Sequence, residues 1–219
     1  VTPEMLLSMT KDPIVFAMAN PVPEISYDLA CATRDDIIMA TGRSDHPNQV
    51  NNVLGFPFIF RGALDVRATK INEEMKMAAV NALADLAKQS VPEQVNIVYD
   101  EVSLSFGKEY IIPKPFDPRL IYEIPPAIAK AAIESGVALE PINDWDKYRD
   151  QLMDRSGIGS KEIRLLHNRA KRSPKSIVFA EADHLDVLKA AQRVLEEKIG
   201  KPILLGRKDV ILALKEELG

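Results

Sequence analysis

The side chains able to bind or react gather in three stretches. In the first, Ala19-Asn20-Pro21 closes the apolar run Ile14-Val15-Phe16-Ala17-Met18-Ala19. An asparagine amide offers both a donor and an acceptor; Asn-Pro is also a common plain turn. The second stretch is Thr41-Gly42-Arg43-Ser44-Asp45-His46-Pro47-Asn48-Gln49-Val50-Asn51-Asn52. A guanidinium, an imidazole, hydroxyls and several amides in one loop suit recognition of a polar ligand, although a solvated connector can carry the same groups. His46 has the chemistry of a general base, but a loop histidine is more often a hydrogen-bonding partner. The third stretch, Tyr110-Ile111-Ile112-Pro113-Lys114-Pro115-Phe116-Asp117-Pro118, holds Lys114 stiffly between prolines and reads as a rigid connector with an exposed lysine. His167 and His184 flank helices without metal-ligand spacing. The sequence has no Gly-x-Gly-x-x-Gly, no paired acidic cluster resembling a metal site and no Cys-x-x-Cys. From the residues alone, this is an α/β ligand-binding piece.

The elements that must position these stretches can be read from periodicity and capping. Thr2-Pro3-Glu4 opens a short helix: a hydroxyl cap, a proline at the first position, an acid in the first turn. The apolar run from Ile14 suits a strand buried on both faces. Ser26 to Arg34 reads as a helix and Ile37 to Ala40 as a second strand, which makes a βαβ unit with parallel strands. Open sheets of this kind bind ligands at the carboxyl ends of their strands, where the first two stretches lie. Asn72 caps a helix to about Ser90, with Met75, Ala79, Ala82, Leu83 and Leu86 on one face. Asp117-Pro118 starts a helix that Pro125-Pro126 should break, launching another that ends at Ser135-Gly136. Glu140 to Gly159 mixes charge with Pro141 and Trp145 and closes on Ser156-Gly157-Ile158-Gly159-Ser160, a hinge composition. Then come a basic helix, Lys161 to Arg172; a strand, Ser176 to Ala180; a helix from a cap at Asp183 to Lys198; a strand, Pro202 to Gly206; and a helix from Val210 to Leu218. That is a second βαβ opening. The chain starts on Val1 and stops inside a helix, which reads as a piece of a longer polypeptide.

Bulk properties narrow the class. Of 219 residues, 46% are hydrophobic and 27% charged, enough to fill a core. The net charge of −4 argues against a general nucleic-acid binder. The single cysteine, Cys31, excludes an internal disulfide and reads as a small buried thiol. No apolar stretch reaches the length of a membrane span and no signal peptide is visible, so a cytoplasmic location is expected.

Taken together, the motifs resemble the malic enzyme family. Phe16-Ala17-Met18-Ala19-Asn20-Pro21-Val22-Pro23-Glu24-Ile25 is similar to the stretch that presents an asparagine to the nicotinamide, and Ala40 to Asp45 with Pro47 to Asn52 to the substrate loop with its paired asparagines. Gly55-Phe56-Pro57 and Gly62-Ala63-Leu64 continue the match, and Tyr110 to Arg119 resembles the bacterial, NADP-linked subfamily. The tail from about Ser173 resembles the amino end of phosphotransacetylase: Lys175 to Ala182, Val187 to Ala191 and Lys201 to Gly206.

The resemblance implies a Rossmann-like α/β fold with a parallel sheet, as the carboxyl part of an NAD(P)-binding domain over residues 1–155. A linker and helix follow over 156–172, then the start of a second α/β, phosphotransacetylase-like domain over 173–219. It implies oxidative decarboxylation of malate to pyruvate and carbon dioxide with NADP, or NAD, as acceptor, and Mg2+ or Mn2+ as Lewis acid. It carries over Asn20 and Asn51 as cofactor contacts and Asn52 as the substrate contact, with Asn48 a milder position in the same loop. The family's catalytic pair and metal acids match no residue here, so the chain by itself is expected to be inert. Acetyl-CoA is implied as an effector of the tail, and a homo-oligomer as the assembly. Acyl transfer by the tail, or a purely structural module, are the competing readings.

Overall fold

The structure is a computed structural model that describes residues 1–100, 103–156 and 161–218. It divides into two compact units, Val1–Trp145 and Asp146–Gly219. The expected hinge at Gly157 and Gly159 lies outside the described residues.

In the first unit, α1 (Pro3–Leu7) starts as its sequence directs, with the Thr2 hydroxyl accepting from the Met5 N–H. Strand β1 (Ile14–Ala17) pairs in parallel with β2 (Ile38–Thr41), Ile14 opposite Ile38 and Ala17 opposite Thr41, through the crossover helix α2 (Tyr27–Thr33). Leu6, Ala17, Ile25, Ala30, Ile37 and Met39 form the core between sheet and helices. Each large aliphatic side chain there contributes about 1.5–3 kcal/mol by burial. Cys31 is only partly buried, against this core rather than within it. The expectation that β1 is buried on both faces does not hold. Ile14 and Phe16 remain 55% and 49% exposed, because α1 and α2 cover one face and nothing among the described residues covers the other.

Arg34 sews this layer together. Its guanidinium donates to the carbonyls of Leu6, Met9 and Thr10 at 2.8–3.0 Å and in a fork to Asp36 at 2.8 and 2.7 Å. Asp36 also accepts from the Asp12 N–H. The Arg34 hydrogen bond, above all, holds the Asp36 carboxyl well below its ordinary value of 3.8. A depressed carboxylate adds stability above the unfolded pKa and loses it as pH falls. Wild type should therefore melt higher than Asp36→Asn near neutrality, and the difference should shrink steadily as pH falls below about 5. Parallel melting curves across that range would show that the fork adds nothing.

The rest of the first unit is helical: a 3-10 turn (Asn52–Leu54), α3 (Phe56–Asp65), α4 (Glu73–Ala87), α5 (Glu93–Tyr99) and α6 (Leu120–Glu134). Asn72 caps α4 as expected, accepting from the Met75 N–H at 3.1 Å. The expected break at Pro125-Pro126 is absent: α6 runs through both prolines. Their missing donors forgo two ladder bonds, but Leu120, Ile124, Ile128, Ala129 and Ala132 are buried along one face against α3 and α4. Tertiary burial outweighs the local cost. At the crossing, Gly62 of α3 lies directly over the Pro125 carbonyl.

The second unit holds α7 (Trp145–Ser156), α8 (Lys161–Arg172), β3 (Lys175–Phe179), α9 (Leu185–Glu196), β4 (Gly200–Leu204) and α10 (Lys208–Leu218). Strands β3 and β4 pair in parallel across α9, which is the expected second βαβ. Helix α7 lies in the charge-rich stretch from Glu140 to Gly159, and buries Tyr148 and Leu152. Asp183 does not cap α9. His184 holds the cap position, and the Asp183 carboxylate is drawn instead to Arg207 Nε at 2.9 Å. His167 lies within α8 and its Nδ1 is 3.2 Å from Glu197.

Candidate functional site

The first two polar stretches leave the carboxyl ends of β1 and β2, neighbouring parallel strands, so the topology delivers both to one edge of the sheet. After β1 the chain turns at Ala19-Asn20-Pro21, where the Asn20-Pro21 bond is cis. Glu24 closes the turn by accepting from the Ala19 N–H at 3.1 Å, and that bond is the leading cause holding its carboxyl below the ordinary range. Asn20 is exposed, and its amide makes no hydrogen bond among the described residues.

After β2, Thr41 is buried and its hydroxyl accepts from the Arg43 N–H at 3.2 Å. Arg43 forks onto Asp45 at 2.9 and 2.6 Å, and this guanidinium holds the Asp45 carboxyl at about 2. Both side chains are half-exposed. His46 neither donates nor accepts among the described residues: it stacks on Tyr27 of α2, centroids 4.5 Å apart and rings within 10° of parallel. Burial first, then the neighbouring Cys31, pushes the Tyr27 hydroxyl up to about 12. The stack pins the loop to α2.

Asn48 stands apart. It is only 3% exposed and adopts φ 53°, a left-handed conformation that asparagine tolerates. Its amide NH2 donates to the Met39 carbonyl at 3.0 Å and the Lys108 carbonyl at 2.8 Å, and its carbonyl accepts from the Ile111 N–H at 2.8 Å. It is not the mild position the sequence suggests. Val50 then donates to the Thr41 carbonyl at 2.8 Å. Asn51 spends its carbonyl oxygen capping the 3-10 turn, accepting from the Val53 N–H at 3.0 Å. Asn52 is exposed, and its side chain makes no hydrogen bond among the described residues.

The third stretch is structural. Lys114 is partly buried, its ammonium 4.9 Å from the Tyr99 ring centroid, and Tyr99 accepts from the Phe116 N–H at 3.2 Å. Tyr110 is buried, and burial, with Asp117 nearby, pushes its hydroxyl up to about 12. Asp117 and Arg119 form a buried pair that anchors this stretch before α6. Sequence reasoning passed over Glu24, Tyr27 and Arg119. The signals were slight: an acid five residues after Ala19, an aromatic one turn before Cys31, and an Asp-Pro-Arg triplet. Among the described residues no group of three His, Cys, Asp or Glu side chains could hold a metal ion.

The model of the family described as malic enzyme, NAD binding domain, matches residues 2–104, and that of phosphate acetyl/butaryl transferase matches residues 162–218. The NADP-dependent malic enzyme of Escherichia coli is 52% identical over all of this chain, which covers 29% of that protein. Over its whole length the chain is similar to malic enzymes. An NAD-dependent malic enzyme of Rhizobium meliloti is 51% identical over 95% of the chain and 27% of its own length, so both coenzyme types stand among the malic enzyme relatives. The crystal structure of the Entamoeba histolytica malic enzyme superposes with a TM-score of 0.60 at 30% identity, over 98% of this chain and 36% of that one. The chain thus spans under a third of the curated malic enzymes it matches, and its first unit is Rossmann-like, with the parallel pairing expected. No helix of the described residues is long and apolar enough to cross a membrane.

Proposed function

We propose that this chain supplies part of the ligand edge of a malic enzyme that oxidatively decarboxylates malate to pyruvate and carbon dioxide with NADP. The observation that carries the reading is the pair of exposed asparagines, Asn20 and Asn52, on two loops leaving one edge of a parallel sheet. Amides suit this task. They hydrogen-bond a carboxamide or carboxylate without adding a charge that would retain the product. Asn20 and the free NH2 of Asn51 are assigned to the nicotinamide end of the cofactor, and Asn52 to malate. The divalent ion, Mg2+ or Mn2+, would polarise the malate hydroxyl; among the described residues no group of three His, Cys, Asp or Glu side chains could hold it.

The division into a cofactor-domain part over 1–155, a linker and helix over 156–172 and a transferase-like start over 173–219 belongs to the same proposal. The transferase match over residues 162–218 favours acetyl-CoA as an effector of that part.

The test is Asn52→Ala in the full-length protein. The loss in kcat/KM for malate should correspond to about 1–3 kcal/mol, the cost of stranding a buried polar partner. Thermal stability should hardly change, since Asn52 is exposed in the ligand-free chain. Unchanged kinetics with a lowered melting point would make Asn52 scaffold instead of ligand contact.

A further inference from the structure

We propose that Asn48 is a positioning residue: its amide sets the register of the Asn51-Asn52 loop against β2 and locks that loop to the turn at residues 107–111. The inference rests on the reading that Asn52 faces substrate. The outer edge of β2 shows how the lock works. Met39 and Thr41, two residues apart, turn their carbonyls to the same side of the strand. The Thr41 carbonyl is met by a backbone donor, the Val50 N–H at 2.8 Å. The Met39 carbonyl is met by the Asn48 side chain at 3.0 Å. Residues 48–50 therefore stand in for a third parallel strand, with an amide side chain supplying the bond that backbone would otherwise make.

The same amide is held from its other side. The turn in which Gly107 and Tyr110 exchange hydrogen bonds at 3.3 and 3.0 Å offers the Lys108 carbonyl and the Ile111 N–H, and Asn48 takes both. Lys108 in turn donates to the Asp35 carbonyl ahead of β2. Both amide protons and an acceptor site of Asn48 are engaged, by two segments that lie up to 63 residues from it in sequence. From this node only Gln49 and Val50 precede Asn51, whose own carbonyl sets the turn that carries Asn52. A shift at Asn48 is thus passed along a short, hydrogen-bonded path, and misplacing a ligand contact by about 1 Å can cost roughly 100-fold in rate.

Asn48→Gly separates positioning from backbone strain, because glycine keeps φ 53° at no cost while deleting all three bonds. Two readouts on the full-length protein decide the matter, both well below its melting temperature. Amide hydrogen exchange should accelerate at Val50 and Val53 in Asn48→Gly and stay at the wild-type rate at Ala129 and Ala132 of α6. The kcat/KM for malate should fall roughly 10- to 100-fold. A side chain that merely adds global stability would instead speed exchange at Ala129 and Ala132 along with Val50 and Val53, and would leave kcat/KM unmoved. Wild-type exchange at Val50 and Val53 overturns the proposal, as does accelerated exchange with undiminished turnover. If wild type itself does not reduce NADP with malate, the functional reading fails, and exchange at those two amides still decides whether Asn48 orders the loop.

Discussion

Arg119→Ala is expected to lower the stability of the first unit by about 3–5 kcal/mol. Arg119 and Asp117 are 6% and 3% exposed. The guanidinium reaches both carboxylate oxygens, at 3.0 and 3.2 Å through Nε and 2.6 Å through Nη2, and spends Nη1 on the Ser90 carbonyl beyond α4. Burial opposes its charge most strongly, but the hydrogen bonds and charge of Asp117, with the neighbouring Tyr110 and Tyr122, together outweigh it, so its pKa rises. Truncation would strand the buried Asp117 carboxylate, leaving it only the backbone N–H of residue 119 of the donors it now has at this position. Most of the loss comes from that stranded carboxylate, not from the worth of the pair. The double variant Asp117→Leu, Arg119→Met should therefore recover much of it. Chemical denaturation of the wild type, the two single variants and the double variant closes the cycle. An Arg119→Ala protein within about 1 kcal/mol of wild type would mean that water reaches Asp117 once the arginine is gone.

Gly62→Ala should cost about 1–3 kcal/mol through overpacking, and Gly62→Val more. Alanine is ordinarily the better helix former, by close to 1 kcal/mol, so propensity alone gives the opposite sign. Geometry decides. A Cβ at Gly62 would meet the Pro125 carbonyl oxygen at 2.6 Å and Ile128 Cβ at 2.8 Å, and neither belongs to a flexible side-chain end. The two helices must part for it to fit. A variant melting at or above the wild-type temperature would show that α3 and α6 separate at little cost.

Much of this was legible in the sequence, and the reasons are local. Caps are local chemistry, so the hydroxyl of Thr2 and the amide of Asn72 mark helix starts that the fold keeps. Both βαβ units follow from short apolar runs spaced by a helix. What stayed hidden depends on partners distant in sequence. Two prolines announce a break unless one knows that Ile124 and Ile128 are buried on either side of them. Helix α7 conceals its apolar face in two residues, Tyr148 and Leu152, amid charge. At the site, the asparagines stood out by type, yet the bonds of one were hidden: Asn48 reads like any loop amide until residues 108 and 111 are brought to it. His46 reads as a hydrogen-bonding partner, and its stack on Tyr27, 19 residues away in sequence, is hidden for the same reason.

The uncovered side of β1 governs how the molecule behaves as a colloid. Ile14 and Phe16 face water there, as do Val178 of β3 and Ile203 of β4 in the second unit. Apolar strands with unpaired edges are templates for addition of like strands. A net charge of −4 offers weak opposition, since repulsion between surfaces decays over about 8 Å at physiological salt. Encounters between two such faces of this chain rise with the square of its concentration, so dilution should slow self-association.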